Sequence, residues 1–237
     1  MGLFRKKNFY QTLTIFIWLL FLFVVEISGN IKLFIKKSYI PFTVAGSFIL
    51  LILFIIRIKR FKKEASGNID FISAFSFLIF LFPVLLTTIV RPGNLSSFAA
   101  MKRGITDEFS AGDTDVLEML KTQLDTEGQY KKLNVKQFLT LAKKKPQEIA
   151  GKSVSIEGLV SKQNGQADSF MLIRFLITCC AADATPLGIE VSYGQTEHLK
   201  QDIWVKVYGQ VNFAGNKPLI IADEIKETPK PSDLYLY

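Results

Sequence analysis

Hydrophobic positions along this chain follow two regimes. Up to about residue 95 they run almost without interruption; beyond it they recur first with the period of a helix and then with the period of strands. Three apolar stretches stand out, at residues 10–28, 39–56 and 69–90. Each is about 18–22 residues long, enough to cross a hydrocarbon layer of about 30 Å as a helix. Tyr10 and Tyr39 fall where interfacial aromatics belong, and Pro83 predicts a kink in the third helix. Residues 1–95 are therefore expected to form a transmembrane helical region.

Composition breaks over residues 91–132, where Pro, Gly, Ser and acidic residues take over. Within it, 96–132 is expected to be a linker with one short helix carrying Val116, Leu117, Leu120 and Leu124. Asn134 can cap a helix over 135–145 that turns Phe138, Leu139, Leu141 and Ala142 inward, and Pro146 stops it. From Gly151 the period becomes two. Strands are predicted at 153–160, 169–178, 187–193, 202–212 and 218–228, with turns at 163–166 and 215–216 and a brief helical piece at 195–200. Five strands with a short helix between the third and fourth suit a small closed barrel of the OB type. Phe138, Ile156, Leu172, Val191, Val205 and Ile220 are the expected core, and Gly158 and Gly209 mark sharp bends. The predicted architecture is an α+β membrane protein, with N-terminal transmembrane helices followed by a small OB-like five-stranded β-barrel over 133–237.

Charge sharpens this division. The net charge of +8 separates into 12 Lys/Arg against 3 Asp/Glu in residues 1–95, and 17 against 18 in residues 96–237. The half that can fold in water is close to neutral, so nucleic acid is not expected as a partner, whatever the fold. The most basic connection is Arg57, Lys59, Arg60, Lys62 and Lys63; it and the N-terminal Arg5, Lys6 and Lys7 are assigned to the cytoplasm. Three crossings from there put residues 96–237 outside the cell membrane. A cleaved signal peptide would share the basic start, but the first apolar run is too long and lacks a small-x-small site. Glu26, at the end of that run, is expected to be a snorkelling surface carboxylate and Asp70 a boundary residue.

Candidate chemistry is concentrated in one segment, RFLITCCAAD, which holds both cysteines of the chain. No nucleophile elbow, phosphate-binding glycine loop, clustered metal carboxylates or paired Cys/His zinc spacing occurs, and the single histidine, His198, lies on a polar turn. Catalysis is therefore not expected. A ligand site would have to be built from Cys179, Cys180 and Asp183, with Arg174 as a further candidate able to lower a thiolate pKa. Side chains alternate along a strand, so one metal can take both thiols only if the chain leaves the strand at Thr178 or Cys179. Three roles stay open for the pair: packed or disulfide-bonded structure, binding of a thiol or of a soft ion such as zinc or copper(I), and redox work.

The stretches GNIKLFIKKSYIPF, SSFAAMKRGI, GKSVSIEGLV, RFLITCCAADATPLGIEV and PLIIADEIKETPKPSDLYLY resemble the YcgQ-like family of bacterial membrane proteins, over nearly the whole chain. The resemblance implies an accessory subunit of a two-component permease in the cell membrane, paired with a larger multi-span membrane permease. It also implies a link to zinc homeostasis, with zinc as the corresponding cofactor. The third apolar stretch departs from the family, whose members often have two N-terminal spans. The alternative is a stand-alone, membrane-anchored thiol- or metal-binding or sensor protein.

The charge argument makes topology testable. In a cysteine-free background, a single cysteine at Gly165 is expected to react with an impermeant maleimide in intact cells while one at Lys62 stays protected. The opposite pattern would reverse the orientation.

Overall fold

The computed structural model describes residues 7–61, 71–89, 95–107, 126–162 and 168–237. The expected helix at 116–124 and the turn at 163–166 lie outside these residues. Two compact units result, one of residues Met1–Gly93 with Cys179–Ala182 and one of Asn94–Thr178 with Asp183–Tyr237.

The first unit is built on α1 (Lys7–Ile27), α2 (Ile40–Phe61) and α3 (Phe71–Ile89). A helix satisfies every backbone amide within one segment, which is what an apolar run needs in lipid. Two stretches, Tyr10–Ile27 and Lys37–Lys59, are long and apolar enough to cross a membrane. The third expected span is occupied by α3, 19 residues or about 28 Å long at about 1.5 Å per residue, with Phe75–Ile89 as its apolar stretch among the described residues. Pro83 lies inside α3, and the Thr87 hydroxyl donates to the carbonyls of Pro83 and Val84 at 3.0 and 2.9 Å. The helices meet through Trp18, whose indole N–H donates to the Phe80 carbonyl at 3.1 Å, and through the ring pairs Phe16–Phe54 and Tyr10–Phe77. Near the end of α1 the Ser47 hydroxyl donates to Glu26 Oε1 at 2.9 Å, so this acid has a partner on α2. Gly29, at φ 69°, lets the chain turn out of α1 into two short 3-10 turns, Asn30–Leu33 and Lys37–Tyr39.

The second unit contains eight strands among the described residues: β1 (Thr126–Glu127), β2 (Tyr130–Leu133), β3 (Ser153–Ser161), β4 (Ser169–Leu176), β5 (Thr185–Ser192), β6 (Trp204–Ala214), β7 (Lys217–Glu227) and β8 (Tyr235–Leu236). β3 to β7 form the closed five-stranded barrel. β3 pairs with β6, β6 with β7, β7 in parallel with β5, β5 with β4, and β4 back with β3. Closure falls on β3, which pairs with β6 over Ser153–Leu159 and with β4 over Leu159–Ser161. A 3-10 turn, Thr196–His198, stands between the third and fourth barrel strands, as the sequence pattern requires. The barrel edge carries more than expected. β2 lies parallel to β3, β1 antiparallel to β2, and β8 parallel to β4.

The interior follows from the period-two pattern. Phe138, Ile156, Leu172, Val191, Val205 and Ile220 are all completely buried, in one cluster. Phe138 enters from α5 (Val135–Lys144), whose start is fixed by a capping box: Asn134 accepts from the Gln137 N–H, and Gln137 accepts from the Asn134 N–H, both at 2.9 Å. Pro146 ends α5 and opens a further turn, α6 (Pro146–Ile149), because proline suits the first helical position. A second cluster lies elsewhere on the barrel, with Leu159, Ile173, Phe175 and Ile177 packed beside Ala100 of α4 (Ser97–Arg103) and Tyr235 of β8. Gly209 marks a register shift between β6 and β7, and a Cβ there would run into the Ile221 carbonyl oxygen and the Ala222 Cα.

Two stability changes follow. Phe138→Ala is expected to cost about 3–5 kcal/mol in denaturant unfolding followed by tryptophan fluorescence. Gly209→Val, which meets backbone rather than a movable side chain, is expected to prevent accumulation of folded protein, whereas Gly215→Ala in the open turn leaves folding intact with a small loss of stability.

Candidate functional site

The segment of interest begins where β4 ends. β4 stops at Leu176, and the Ile177 N–H passes to the Leu236 carbonyl of β8 at 3.0 Å. The chain then leaves the strand, forms a 3-10 turn at Ala181–Asp183, and re-enters the barrel as β5 at Thr185. Alternation therefore stops before the cysteines. The Cys179 and Cys180 sulfurs lie 3.5 Å apart, and both thiols with an Asp183 carboxylate oxygen fall within 4.8 Å of one another. Cys179 is exposed and Cys180 half-buried. The Thr178 N–H donates to Asp183 Oδ1 at 3.0 Å, which turns the carboxylate back toward the start of the loop.

Backbone contacts fix this turn. The Lys36 N–H donates to the Cys179 carbonyl at 3.0 Å and the Ala181 N–H to the Phe34 carbonyl at 2.8 Å, bracketing an antiparallel bridge between Ile35 and Cys180. On the far side, Arg103 Nη1 donates to the Ala184 carbonyl at 2.6 Å. Thr106 bridges to Leu187, its N–H donating to the Pro186 carbonyl and its carbonyl accepting from Gly188, both at 3.0 Å. α4, which delivers Arg103, is held by Ser96 at its N-cap and by Asp202, whose Oδ1 accepts from the Ser97 N–H at 2.6 Å.

Arg174 faces other groups. It is buried, its Nη2 donates to the Asp233 carbonyl at 2.5 Å, and its guanidinium stacks 5.0 Å from the centre of the Trp204 ring. Burial lowers its pKa, opposed by the charges of Glu157 and Asp233. These contacts serve the segment leading into β8. His198 is exposed on its 3-10 turn.

Sequence reasoning missed Phe34, Ile35, Lys36 and Arg103. The first three sit in what looks like a basic connection, and their partners are about 145 residues away, so no local pattern marks them. Arg103 had a signal: Ser96 before SFAAMKR and Gly104 after it frame a capped helix. A second unanticipated cluster tethers β1. Lys206 Nζ contacts Glu127 Oε2 at 3.0 Å, the Tyr208 hydroxyl donates to Glu127 Oε1 at 2.9 Å, and Tyr130 packs edge-on to Tyr208. The hydrogen bonds from Lys206 and then Tyr208 hold the Glu127 carboxyl below its ordinary pKa.

These features define a barrel of the OB type on a chain whose N-terminal helices are long and apolar enough to enter a membrane. Models of the DUF1980 N-terminal domain and the DUF1980 C-terminal domain match residues 10–106 and 113–237, and the chain belongs to this family. That agrees with its resemblance to the YcgQ-like permease subunits. A protein of Streptococcus mutans serotype c, named as a candidate "two-component membrane permease complex subunit", is 23% identical and covers 90% of this chain and 93% of its own. Among solved structures, an OBody bound to hen egg-white lysozyme is 17% identical, covering 38% of this chain and 91% of its own with a TM-score of 0.26. The S. pombe Stn1-ten1 complex is 15% identical, covering 34% and 61% with a TM-score of 0.24. None of these descriptions names zinc or another metal.

The Glu127 cluster yields a pH dependence. A carboxyl with a lowered folded-state pKa stabilises above its unfolded value, and that contribution is lost as pH falls through the folded value. The thermal stability of the wild type is therefore expected to exceed that of Glu127→Gln above pH 4.5, with the difference vanishing in more acidic buffer. Melting curves of both proteins from neutral to acidic pH measure it; a gap that persists in acid would assign the effect to something other than the charge.

Proposed function

We propose that this chain is the accessory subunit of a two-component membrane permease, anchored by its helices and presenting its barrel outside the cell membrane. The observation that carries this reading is the likeness to the S. mutans protein along almost the whole of both chains, helices and barrel together. The helices support a non-conducting role. Glu26 is the single acidic residue within α1 to α3, and Ser47 occupies one of its oxygens. A hydrophilic solute needs more polar groups than that to line a route through lipid. The route then belongs to a larger, multi-span partner, and the barrel is a binding module rather than an enzyme.

Orientation has support beyond the basic Arg57–Lys63 connection. The Ile35–Cys180 bridge supports placing the α1–α2 connection and the cysteine turn on one side of the bilayer. The chain between them must then cross an even number of times, so a crossing by α2 entails a crossing by α3. The 19 residues of α3, about 28 Å, come close to the hydrocarbon thickness of about 30 Å. An odd number of crossings, with the N-terminus inside, leaves the barrel outside.

Extraction of the tagged chain from its own host membrane in mild detergent is expected to bring down a multi-span membrane protein in constant ratio. Liposomes containing this chain alone are expected to show no uptake of metal ions or small anions. Robust uptake by the chain alone, or a chain that purifies without any partner, would overturn the reading.

A further inference from the structure

The turn between β4 and β5 carries chemistry that an anchored binding module does not itself require. We propose that Cys179, Cys180 and Asp183 form an exchange site for one soft, thiophilic cation, of the class of zinc, cadmium or copper(I).

The donor set selects that class. Two thiolates and one carboxylate are anionic, and sulfur ligands favour soft ions over calcium or magnesium. The spacing fits as well. A tetrahedral ion with metal–sulfur bonds of about 2.3 Å sets two sulfurs about 3.8 Å apart, whereas a disulfide needs about 2.05 Å. The observed separation of 3.5 Å lies close to the first value and far from the second. The Thr178 N–H on Asp183 Oδ1 supplies the outer hydrogen bond that orients a ligating carboxylate. Binding displaces the two thiol protons to water, so the cation enters as the thiolate complex without any change of oxidation state.

Two further observations separate an exchange site from a structural one. Closed structural sites supply four protein ligands, whereas sites that keep a position open supply three. Among the described residues three ligand atoms converge here. The turn is also already fixed by the Lys36 to Cys179, Ala181 to Phe34 and Arg103 to Ala184 hydrogen bonds, so it has its shape before an ion arrives. The exposure of Cys179 gives an ion, or a competing ligand, direct access. Binding stands on this turn alone; that the ion is handed to a permease rests on the function proposed above.

The test uses the full chain in detergent micelles, reduced and stripped with a chelator, so that its outcome does not depend on any partner. Titration with cadmium is expected to give one equivalent bound, with the ultraviolet absorption of a cadmium–thiolate complex, and zinc is expected to compete where calcium does not. Cys179→Ser and Cys180→Ser should each weaken binding by more than about 100-fold and reduce the absorption. Asp183→Asn, which removes the ligating charge, should weaken it by at least the about 10–100-fold that follows from disturbing a ligand's surroundings, while keeping the absorption at saturation. If a serine variant fails to fold, reversible methylthiolation of the folded wild type replaces it and is expected to block binding until the thiols are regenerated. Thermal melting of the stripped protein should be close to that of the loaded protein, and a competing chelator should remove the ion within seconds. No stoichiometric binding by the wild type, or undiminished binding after both thiols are blocked, would overturn the site. A stripped protein that no longer folds, or an ion that a chelator cannot remove, would make it structural and overturn exchange. Failure of the chain to capture a multi-span partner would leave all of these readouts unchanged.

Discussion

Everything in the barrel depends on β3 being shared. Its first seven residues pair with β6 and its last three with β4, so one strand turns an open sheet into a closed one. A closed sheet has no unpaired edge between its members, and that lets a core of about a hundred residues hold together without a second layer. The same sharing leaves the far end of β4 without β3 as a neighbour. β8 takes that place, pairing with Phe175 and Leu176, and α4 covers the adjoining surface beside Leu159 and Ile173. Where β8 ends, β4 has ended too, and the chain swings out as the turn that carries both thiols.

The parts of this arrangement that were legible in the sequence are those set by local period and local capping. Alternation over 153–160 and 202–212 names the residues that face inward, and all six expected core positions are fully buried. Asn134 and Gln137 announce the start of α5 by a reciprocal pair of hydrogen bonds that needs no tertiary help. β8 left no such mark: Tyr235 and Leu236 are two residues after a proline-rich stretch, too short for any period, and they become a strand because β4 offers them a partner. β1 and β2 are missed for the same reason, hidden in a polar region and ordered by Glu127 reaching Lys206 and Tyr208.

At the candidate site the split falls in the same place. Residue type picks out Cys179, Cys180 and Asp183 as candidates, and the structure brings their ligand atoms within 4.8 Å of one another. Sequence could not show where the strand stops, since Thr178 and the cysteines are all compatible with extended backbone. Tertiary contacts decide it, the Ile177 N–H passing to the Leu236 carbonyl where β4 ends. Arg174 shows what chain proximity leaves out. Chain proximity makes it a candidate beside the thiols, and the structure adds its contacts with Trp204 and the Asp233 carbonyl. The third apolar stretch, equal to the others when counted by composition, forms a helix of 19 residues, and its membrane role has to be argued from what its two ends connect.

Adjacency of the two cysteines has a consequence for biogenesis. Many proteins matured outside the cytoplasm rely on disulfides that staple distant segments, and so depend on an oxidising compartment and on isomerases to sort the pairings. Thiols on neighbouring residues enclose almost no chain between them, so oxidation here would remove very little unfolded-state entropy. The barrel therefore draws little stability from these thiols and relies on apolar burial together with contacts such as those of Glu127. It can reach its native shape in reducing or oxidising surroundings alike, with no pairing to sort.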